Sequence, residues 1–239
     1  MTTPLRVIAA LTAAILLPAA GSTSVEQVGR TRAAIVLPDA APIGSIILIP
    51  GGTTLQRIDA AGNGSNSTNF VMHIRPALLA AGFALAYVEN PADERAIVAR
   101  MRAVKRPVFT LSTSNGTAIA ASSAAALGAD GPDGIVLTST VTIPSRLNTS
   151  PASTVDVGKI TVPVLFVHNT DDGCPWAPWS GIAPLMLRFN KNTDVTRIDV
   201  TSTRVISGPC DPLAPHGYLG IEDGVAAKII AWMQAHGAT

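Results

Sequence analysis

The alternation of short aliphatic runs with longer segments of helical spacing is the feature of this chain that most restricts its fold. The runs are rich in Val, Ile and Leu, and many of them are bounded by Gly, Pro or Asp residues. We predict strands at residues 32–37, 45–49, 83–88, 107–111, 134–137, 162–167 and 195–200, with residues 203–206 as a candidate extension. This alternation is typical of a predominantly parallel central sheet with helices on both faces. The sequence therefore predicts the α/β fold class.

The segments between the predicted strands are mostly helical in their spacing. Helices are predicted at residues 70–81, 92–104, 181–189 and 221–235, and in an Ala-rich stretch that ends at Leu127. Pro76 lies inside the first of these segments, so it must occupy the first turn of that helix or kink it. A chain of 239 residues can build this arrangement as one domain.

The N-terminal segment has the three zones of a secretory signal peptide. Arg6 precedes an apolar run that ends at Leu17, and small residues come after it. The run is shorter than the roughly 20 residues that a membrane-spanning helix needs, which disfavours a retained anchor. A buried N-terminal helix is the remaining alternative. We expect a signal peptide at residues 1–21 and a mature domain at residues 22–239 that is periplasmic or secreted and has no stable membrane span.

The charge balance restricts the kind of partner. The chain has 17 Lys and Arg residues against 16 Asp and Glu residues, so it has no strong overall field for a polyanion. We therefore expect no nucleic-acid partner. The sequence does not indicate an oligomeric state.

One serine stands where the chain turns from a predicted strand into a predicted helix. Ser114 is the middle residue of Ser112-Thr113-Ser114-Asn115-Gly116, between an aliphatic strand and the Ala-rich helix. A strained connection of this kind presents a nucleophile at a strand end. It requires small residues two positions before and two positions after the nucleophile, and Ser112 and Gly116 meet that requirement. A structural serine in a turn is the alternative.

This turn resembles the nucleophile elbow of the α/β-hydrolase superfamily, and the resemblance covers nearly all of the chain from about Arg32 onward. The family usually has Gly-x-Ser-x-Gly here, so Ser112 replaces the first glycine. The resemblance implies an α/β-hydrolase fold with Ser114 as nucleophile. We expect the polar loop at residues 52–69 to lie over the site. The segment at residues 142–158 is too short and polar for a large lid, so the lid is minimal.

The resemblance also implies an acid. Residues 167–172 are Val-His-Asn-Thr-Asp-Asp, and they resemble the family's strand end His-Gly-x-x-Asp with Asn169 in place of Gly. The spacing selects Asp172, and the adjacent Asp171 stays an alternative. His168 is expected to pack at the strand end without a catalytic role.

The candidate base is His216. It lies in Pro-His-Gly, after the last predicted strand and before the last predicted helix, and it matches the family's catalytic histidine. The chain order Ser114, Asp172, His216 is the order of this superfamily.

A glycine-containing loop comes after the second predicted strand. Residues 47–53 are Ile-Leu-Ile-Pro-Gly-Gly-Thr, and they resemble the family's loop after its third strand, with Pro50 in place of a histidine. This resemblance implies that the backbone N–H groups of Gly52 and Asn115 donate to the oxyanion. Thr53 stays an alternative to Gly52, and an ordinary glycine turn is the alternative to the oxyanion role.

The two cysteines of the chain flank the candidate acid and base. Cys174 follows Asp172 by two residues and Cys210 precedes His216 by six. A disulfide between them is expected in an exported protein and would restrain these two loops, whereas two unrelated buried thiols are the alternative.

Two tryptophans lie beside the candidate acid loop. Trp176 and Trp179 are candidates for lining a substrate pocket, and plain packing is the alternative.

Taken together, these residues predict a serine hydrolase that cleaves a small-molecule carboxylic ester through an acyl-enzyme. Hydrolysis of an amide, peptide, thioester or lactone on the same triad is an alternative, and a catalytically silent exported binding protein is an alternative of another class. The chemistry implies no metal or organic cofactor. Because no broad apolar lid is predicted, the sequence favours small or soluble acyl substrates over long-chain lipids.

Overall fold

The computed structural model describes residues 21–146 and 148–239. Except for Gly21, the predicted signal peptide lies outside this part of the chain. The described residues contain no helix that is long and apolar enough to cross a membrane.

One sheet of eight strands forms the centre of the structure, in the order β1-β2-β4-β3-β5-β6-β7-β8. The strands β3 to β8 run parallel to one another, and β1 and β2 are antiparallel to their neighbours. All residues of β3 to β7 are buried, which explains their continuous aliphatic runs. The strands are Thr23–Val28 (β1), Thr31–Val36 (β2), Gly44–Ile49 (β3), Phe83–Val88 (β4), Val108–Thr113 (β5), Gly134–Thr138 (β6), Val164–Asn169 (β7) and Val195–Val200 (β8).

Two strand predictions are wrong. The strand predicted at residues 32–37 was expected to be the first in the chain, but it is the second strand, β2. The strand β1 precedes it at the edge of the sheet, and only Val28 of β1 is buried. A half-exposed edge strand with Glu and Gln does not produce an aliphatic run, so no sequence pattern marks it. The candidate extension at residues 203–206 is an irregular segment, in which Val205 and Ile206 are exposed.

The helices cover both faces of the sheet, as predicted. Buried side chains of α3, α4 and α5 pack in one core cluster, and those of α1, α2 and α6 pack in the cluster on the opposite face. The helix predicted at residues 70–81 is divided at Ile74, and Pro76 lies in the first turn of its second part. The helices are Phe70–His73 (α1), Arg75–Ala80 (α2), Glu94–Arg102 (α3), Gly116–Leu127 (α4), Ile182–Met186 (α5) and Glu222–Ala235 (α6).

The second half of the segment that was predicted as a minimal lid, residues 151–158, belongs to the body of the fold. It contains a short 3₁₀ turn at Ala152–Thr154 and begins another at Val157–Lys159. Ala152 and Val157 are buried in the same core cluster as α4. It therefore packs beside the helix and does not form a broad lid.

The sheet topology brings distant parts of the chain to one edge. Because β5, β7 and β8 are parallel, their carboxyl ends lie on the same side of the sheet, where the loops that leave them meet. Ser114 follows β5, Asp172 follows β7 and His216 lies in the long loop after β8.

Candidate active site

Ser114 occupies a sharp turn between β5 and α4. Its φ of 53° is in the left-handed region, which non-glycine residues rarely adopt. Its N–H donates to Thr138 O at 3.0 Å, which ties the turn to the neighbouring strand β6. A non-glycine residue held in this conformation at a strand end is a mark of a functional site.

The residues around Ser114 are small because the backbone is crowded there. A Cβ at Gly116 would lie 2.7 Å from the carbonyl oxygens of both Ile49 and Pro50. Ser112 is fully buried, and its hydroxyl donates to Val136 O at 3.1 Å. A serine therefore fits in the position where the family usually has glycine.

The structure brings Ser114, His216 and Asp172 into one hydrogen-bonded row. His216 Nε2 lies 2.9 Å from Ser114 Oγ, and His216 Nδ1 lies 2.9 Å from Asp172 Oδ2. The side chain of Asp172 is fully buried, and that of His216 is 5% exposed. With Nδ1–H donating to the carboxylate, Nε2 is free to accept the hydroxyl proton of Ser114.

Of the two adjacent aspartates, only Asp172 points to the histidine. Its second oxygen, Oδ1, accepts the N–H of Cys174 at 2.9 Å, so both carboxylate oxygens are held. Asp171 is exposed, and among the described residues its carboxylate accepts a hydrogen bond from Thr170 Oγ1 alone, at 3.4 Å. The two neighbours therefore differ in both burial and partners, since the side chain of Asp172 is fully buried against His216.

The loop that carries His216 is held by residues that no sequence motif indicated. Ser139 Oγ donates to the backbone oxygen of His216 at 2.7 Å, and Asn169 Nδ2 donates to Pro215 O at 3.0 Å. The hydroxyl of Tyr218 accepts the N–H of Ser139 and donates to Val167 O. All these side chains are buried. The one available signal was Asn169, a polar amide in place of the family's glycine.

His168 lies beneath the acid. Its ring is fully buried, Nε2–H donates to Ala177 O at 2.9 Å, and the same nitrogen is 3.6 Å from Asp172 Oδ2. Burial lowers the pKa of His168, although the Asp172 carboxylate acts in the opposite direction. The neutral ring packs at the strand end, where it holds the loop of residues 174–177 against β7.

The two candidate oxyanion donors lie side by side. Gly52 has a φ of 67°, and Asn115 Nδ2 donates to Gly52 O at 2.7 Å, which links the two segments. Within the described ranges, neither the Gly52 N–H nor the Asn115 N–H has a hydrogen-bond acceptor. Gly52 lines the cleft that contains Ser114, whereas Thr53 does not.

Ser114 and His216 open into a cleft of about 230 Å³. The predicted covering loop forms one wall through Ser65, Asn66 and Thr68, and the segment from Cys210 to Pro212 forms another. The rim is rich in hydroxyl and amide groups.

Cys174 and Cys210 form a disulfide with a Cα–Cα distance of 4.6 Å. It joins the acid loop to the segment that leads to His216 and contributes Cys210 to the cleft wall. The predicted pairing of the two cysteines is therefore present.

Neither tryptophan lines the cleft of Ser114. Trp176 is 39% exposed and Trp179 is 41% exposed. The indole N–H of Trp179 donates to Asp199 Oδ1 at 2.9 Å, and the guanidinium of Arg197 lies over its ring. Across the described residues there is also no cluster of three or more His, Cys, Asp or Glu side chains that could hold a metal ion.

Comparison with known proteins gives similarity in structure but none in sequence. No family profile and no curated protein matches the chain. Est1E from Butyrivibrio proteoclasticus is similar to it with a TM-score of 0.62 at 13% identity, over 91% of this chain and 100% of that chain. A thermostable carboxyl esterase from Bacillus coagulans has a TM-score of 0.62 at 12% identity, over 91% and 99% of the two chains.

A third similar structure is larger. Acylaminoacyl peptidase from Pyrococcus horikoshii has a TM-score of 0.61 at 8% identity, over 91% of this chain but 42% of that chain. Structural similarity at such low sequence identity indicates a shared fold and nothing more specific. The features described above agree with that fold, namely the sheet order, the strained serine turn and the parallel strand ends. The chain therefore has the α/β-hydrolase fold of that superfamily.

Proposed function

We propose that this protein is a serine hydrolase that cleaves carboxylic esters through an acyl-enzyme. The observation that carries the proposal is the hydrogen-bonded row from Ser114 Oγ through His216 to Asp172, with 2.9 Å at each step. A serine hydroxyl is a weak nucleophile, and an adjacent base oriented by a third group is the arrangement that activates it.

In the acylation step, His216 Nε2 takes the proton of Ser114 Oγ while that oxygen attacks the ester carbonyl carbon. The carbonyl oxygen becomes an oxyanion, and the N–H groups of Gly52 and Asn115 donate to it. Buried Asp172 stabilises the imidazolium. The C–O bond to the alcohol then breaks, and His216 returns its proton to the leaving oxygen.

In the deacylation step, water replaces the alcohol. His216 takes a proton from the water, whose oxygen attacks the acyl carbon, and the bond to Ser114 Oγ breaks. The serine oxygen recovers its proton from His216, and the carboxylic acid leaves. This cycle consumes one water for each ester and requires no cofactor.

Comparison with solved structures is consistent with acyl transfer but does not select the bond. The similar structures include esterases and acylaminoacyl peptidases. We propose the ester because esterases are among the similar structures, and hydrolysis of amides, peptides, thioesters or lactones on the same triad is the second candidate. The short distance from Ser114 to His216 disfavours a silent binding protein.

We further propose that the protein is exported. The Cys174–Cys210 disulfide supports this, because such bonds persist in oxidising compartments such as the periplasm or the extracellular space. N-terminal sequencing of protein recovered from the periplasm or medium tests it, and a cytoplasmic protein that keeps residues 1–20 would contradict it.

Labelling with a fluorophosphonate probe tests the nucleophile. We expect the folded protein to be labelled at one site, and labelling to be lost in Ser114→Ala. The matched control is Ser112→Ala, because Ser112 is buried two residues away and donates to a backbone oxygen, not to His216. Labelling that persists in Ser114→Ala contradicts the proposal.

A further inference from the structure

A second and larger cavity begins beside the cleft and runs away from it. It has a volume of about 570 Å³ and lies between α4 and the segment from Pro91 to Arg95. We call it the α4 groove. Gly52 lines both the cleft and the groove, and Asn115, the residue after Ser114, lines the groove.

The wall that α4 contributes is small and mostly apolar. Ala118, Ser122 and Ala126 follow one another at intervals of one turn, and Ile119 lies beside them. Most of the exposed wall of the groove is carbon. Two of the charged residues at its far side are paired, since Arg95 binds Asp130 and Asp93 binds Arg30. The third, Glu94, is buried, and its Oε1 accepts the hydroxyl of Thr110. An apolar and extended ligand fits this surface better than a charged one.

The position of His216 decides which half of an ester the groove receives. The leaving alcohol must lie next to His216, because that residue protonates it. His216 and its neighbours Pro212 and Gly217 line the cleft, and none of them lines the groove. The carbonyl oxygen points to the N–H groups of Gly52 and Asn115, so the acyl part must leave the reacting carbon in the remaining direction, away from His216. The groove is lined by Gly52 and Asn115 and not by His216, so it is the cavity that can receive this part.

We propose that the α4 groove binds the acyl chain of the substrate, and that this chain is apolar and extended along α4. This inference rests on the proposed function and specifies its substrate class. It also departs from the sequence expectation of small acyl groups, because the groove is built from a helix face and not from a lid.

Two positions on α4 allow the length of the bound chain to be tested. Ser122 and Ala126 are both exposed on the groove side of α4, one turn apart, and so about 6 Å apart along the helix axis. A tryptophan at either position would obstruct the groove without displacing core side chains. Ala227→Trp is the matched control, because Ala227 is exposed on α6, which covers the opposite face of the sheet.

The experiment measures kcat/KM for p-nitrophenyl esters from acetate to dodecanoate. In the wild type we expect kcat/KM to rise from acetate to the medium chain lengths, by at most about fourfold per methylene. Ser122→Trp lowers octanoate hydrolysis at least tenfold and leaves acetate within twofold. Ala126→Trp begins to lower activity only at longer chains than Ser122→Trp does, and Ala227→Trp matches the wild type.

Other outcomes overturn the inference in distinguishable ways. If acetate hydrolysis is absent or persists in Ser114→Ala, the proposed function fails and the inference fails with it. If acetate is cleaved through Ser114 but both groove variants keep the wild-type chain-length profile, the inference alone fails. If the variants instead change the dependence on alcohol length in a series of alkyl acetates, the groove binds the alcohol and the acyl assignment is wrong.

Discussion

Gly51 lies so close to Ser114 that a Cβ at Gly51 would be 2.8 Å from the Cβ of Ser114. This contact joins the loop after β3 to the serine turn, and the next residue, Gly52, lines the same cleft as Ser114. A side chain at position 51 would have to push the two segments apart.

We therefore predict that Gly51→Ala lowers kcat/KM for p-nitrophenyl acetate by about 100-fold, because small displacements of reacting groups have effects of this size. The matched control is Gly224→Ala in α6, where an added Cβ meets nothing within 4 Å. We expect this control to keep full activity and to gain about 0.5 to 1 kcal/mol of stability. If a folded Gly51→Ala variant kept the wild-type kcat/KM, the close approach of Gly51 to Ser114 would have no role in positioning the site.

The two adjacent aspartates allow a direct comparison. Asp172→Asn removes the carboxylate that accepts from His216 Nδ1, and we expect kcat/KM to fall roughly 1,000- to 10,000-fold. Asp171→Asn changes an exposed residue and is expected to stay within about twofold of the wild type, as surface changes usually do. Steady-state hydrolysis of one ester by both variants decides the assignment, and the reverse pattern would make Asp171 the acid.

Ser139 is predicted to position His216 through a hydrogen bond to its backbone oxygen. Ser139→Ala and Ser202→Ala both remove a buried hydroxyl that donates to a backbone oxygen, and each is expected to cost about 1 to 3 kcal/mol of stability. Only Ser139→Ala is expected to lower kcat, by about tenfold, because Ser202 donates to Leu219 and not to His216. Equal kcat values in two folded variants would refute the positioning role.

The disulfide is predicted to stabilise the two loops that it joins. It closes a loop with a sequence separation of 36, for which chain entropy gives about 3 to 4 kcal/mol. In the double variant Cys174→Ser, Cys210→Ser, we expect the free energy of unfolding, measured with urea, to fall by this amount. We also expect kcat to be lower than in the wild type. Treatment with dithiothreitol serves as the control, since it affects the wild type and not the double variant. Unchanged urea midpoints would argue against the stabilising role.

Glu94 is predicted to make stability fall as the pH rises. Burial raises its pKa from 4.5 to about 7, although the hydroxyl of Thr110 donates to it at 2.6 Å and acts in the opposite direction. Between these pH values the unfolded chain releases a proton that the folded chain keeps. The contribution of protonated Glu94 to the free energy of unfolding is therefore fully present below pH 4.5, and it is lost progressively as the pH rises to about 7.

Glu94→Gln removes this ionisation. At pH 8 we expect the variant to be more stable than the wild type, by up to about 3 kcal/mol for a pKa difference of this size. At pH 4.5 the two proteins are expected to be equally stable. Urea unfolding at both pH values measures the difference, and a Gln variant that is less stable at pH 8 would contradict the prediction.

Short stretches of the sequence were sufficient to predict the central sheet except for its edge strand β1, and to indicate the candidate residues of the site. Strands β3 to β7 are buried on both faces, so burial forces continuous aliphatic runs that can be recognised without coordinates. Ser114 was recognisable because a nucleophile turn needs small neighbours, and His216 because it lies in Pro-His-Gly between the last predicted strand and the last predicted helix. Each of these signals lies within a few consecutive residues.

Contacts between distant stretches of the chain fix the remaining features. The hydrogen bond from the Ser114 hydroxyl to His216 spans 102 residues, and the preference for Asp172 over Asp171 depends on the contact between Asp172 and the distant His216. The buried hydroxyl of Ser139 and the α4 groove have no pattern along the chain, because each exists only where separate elements pack together. Periodicity reports which side of an element is buried, and packing alone determines which groups then meet.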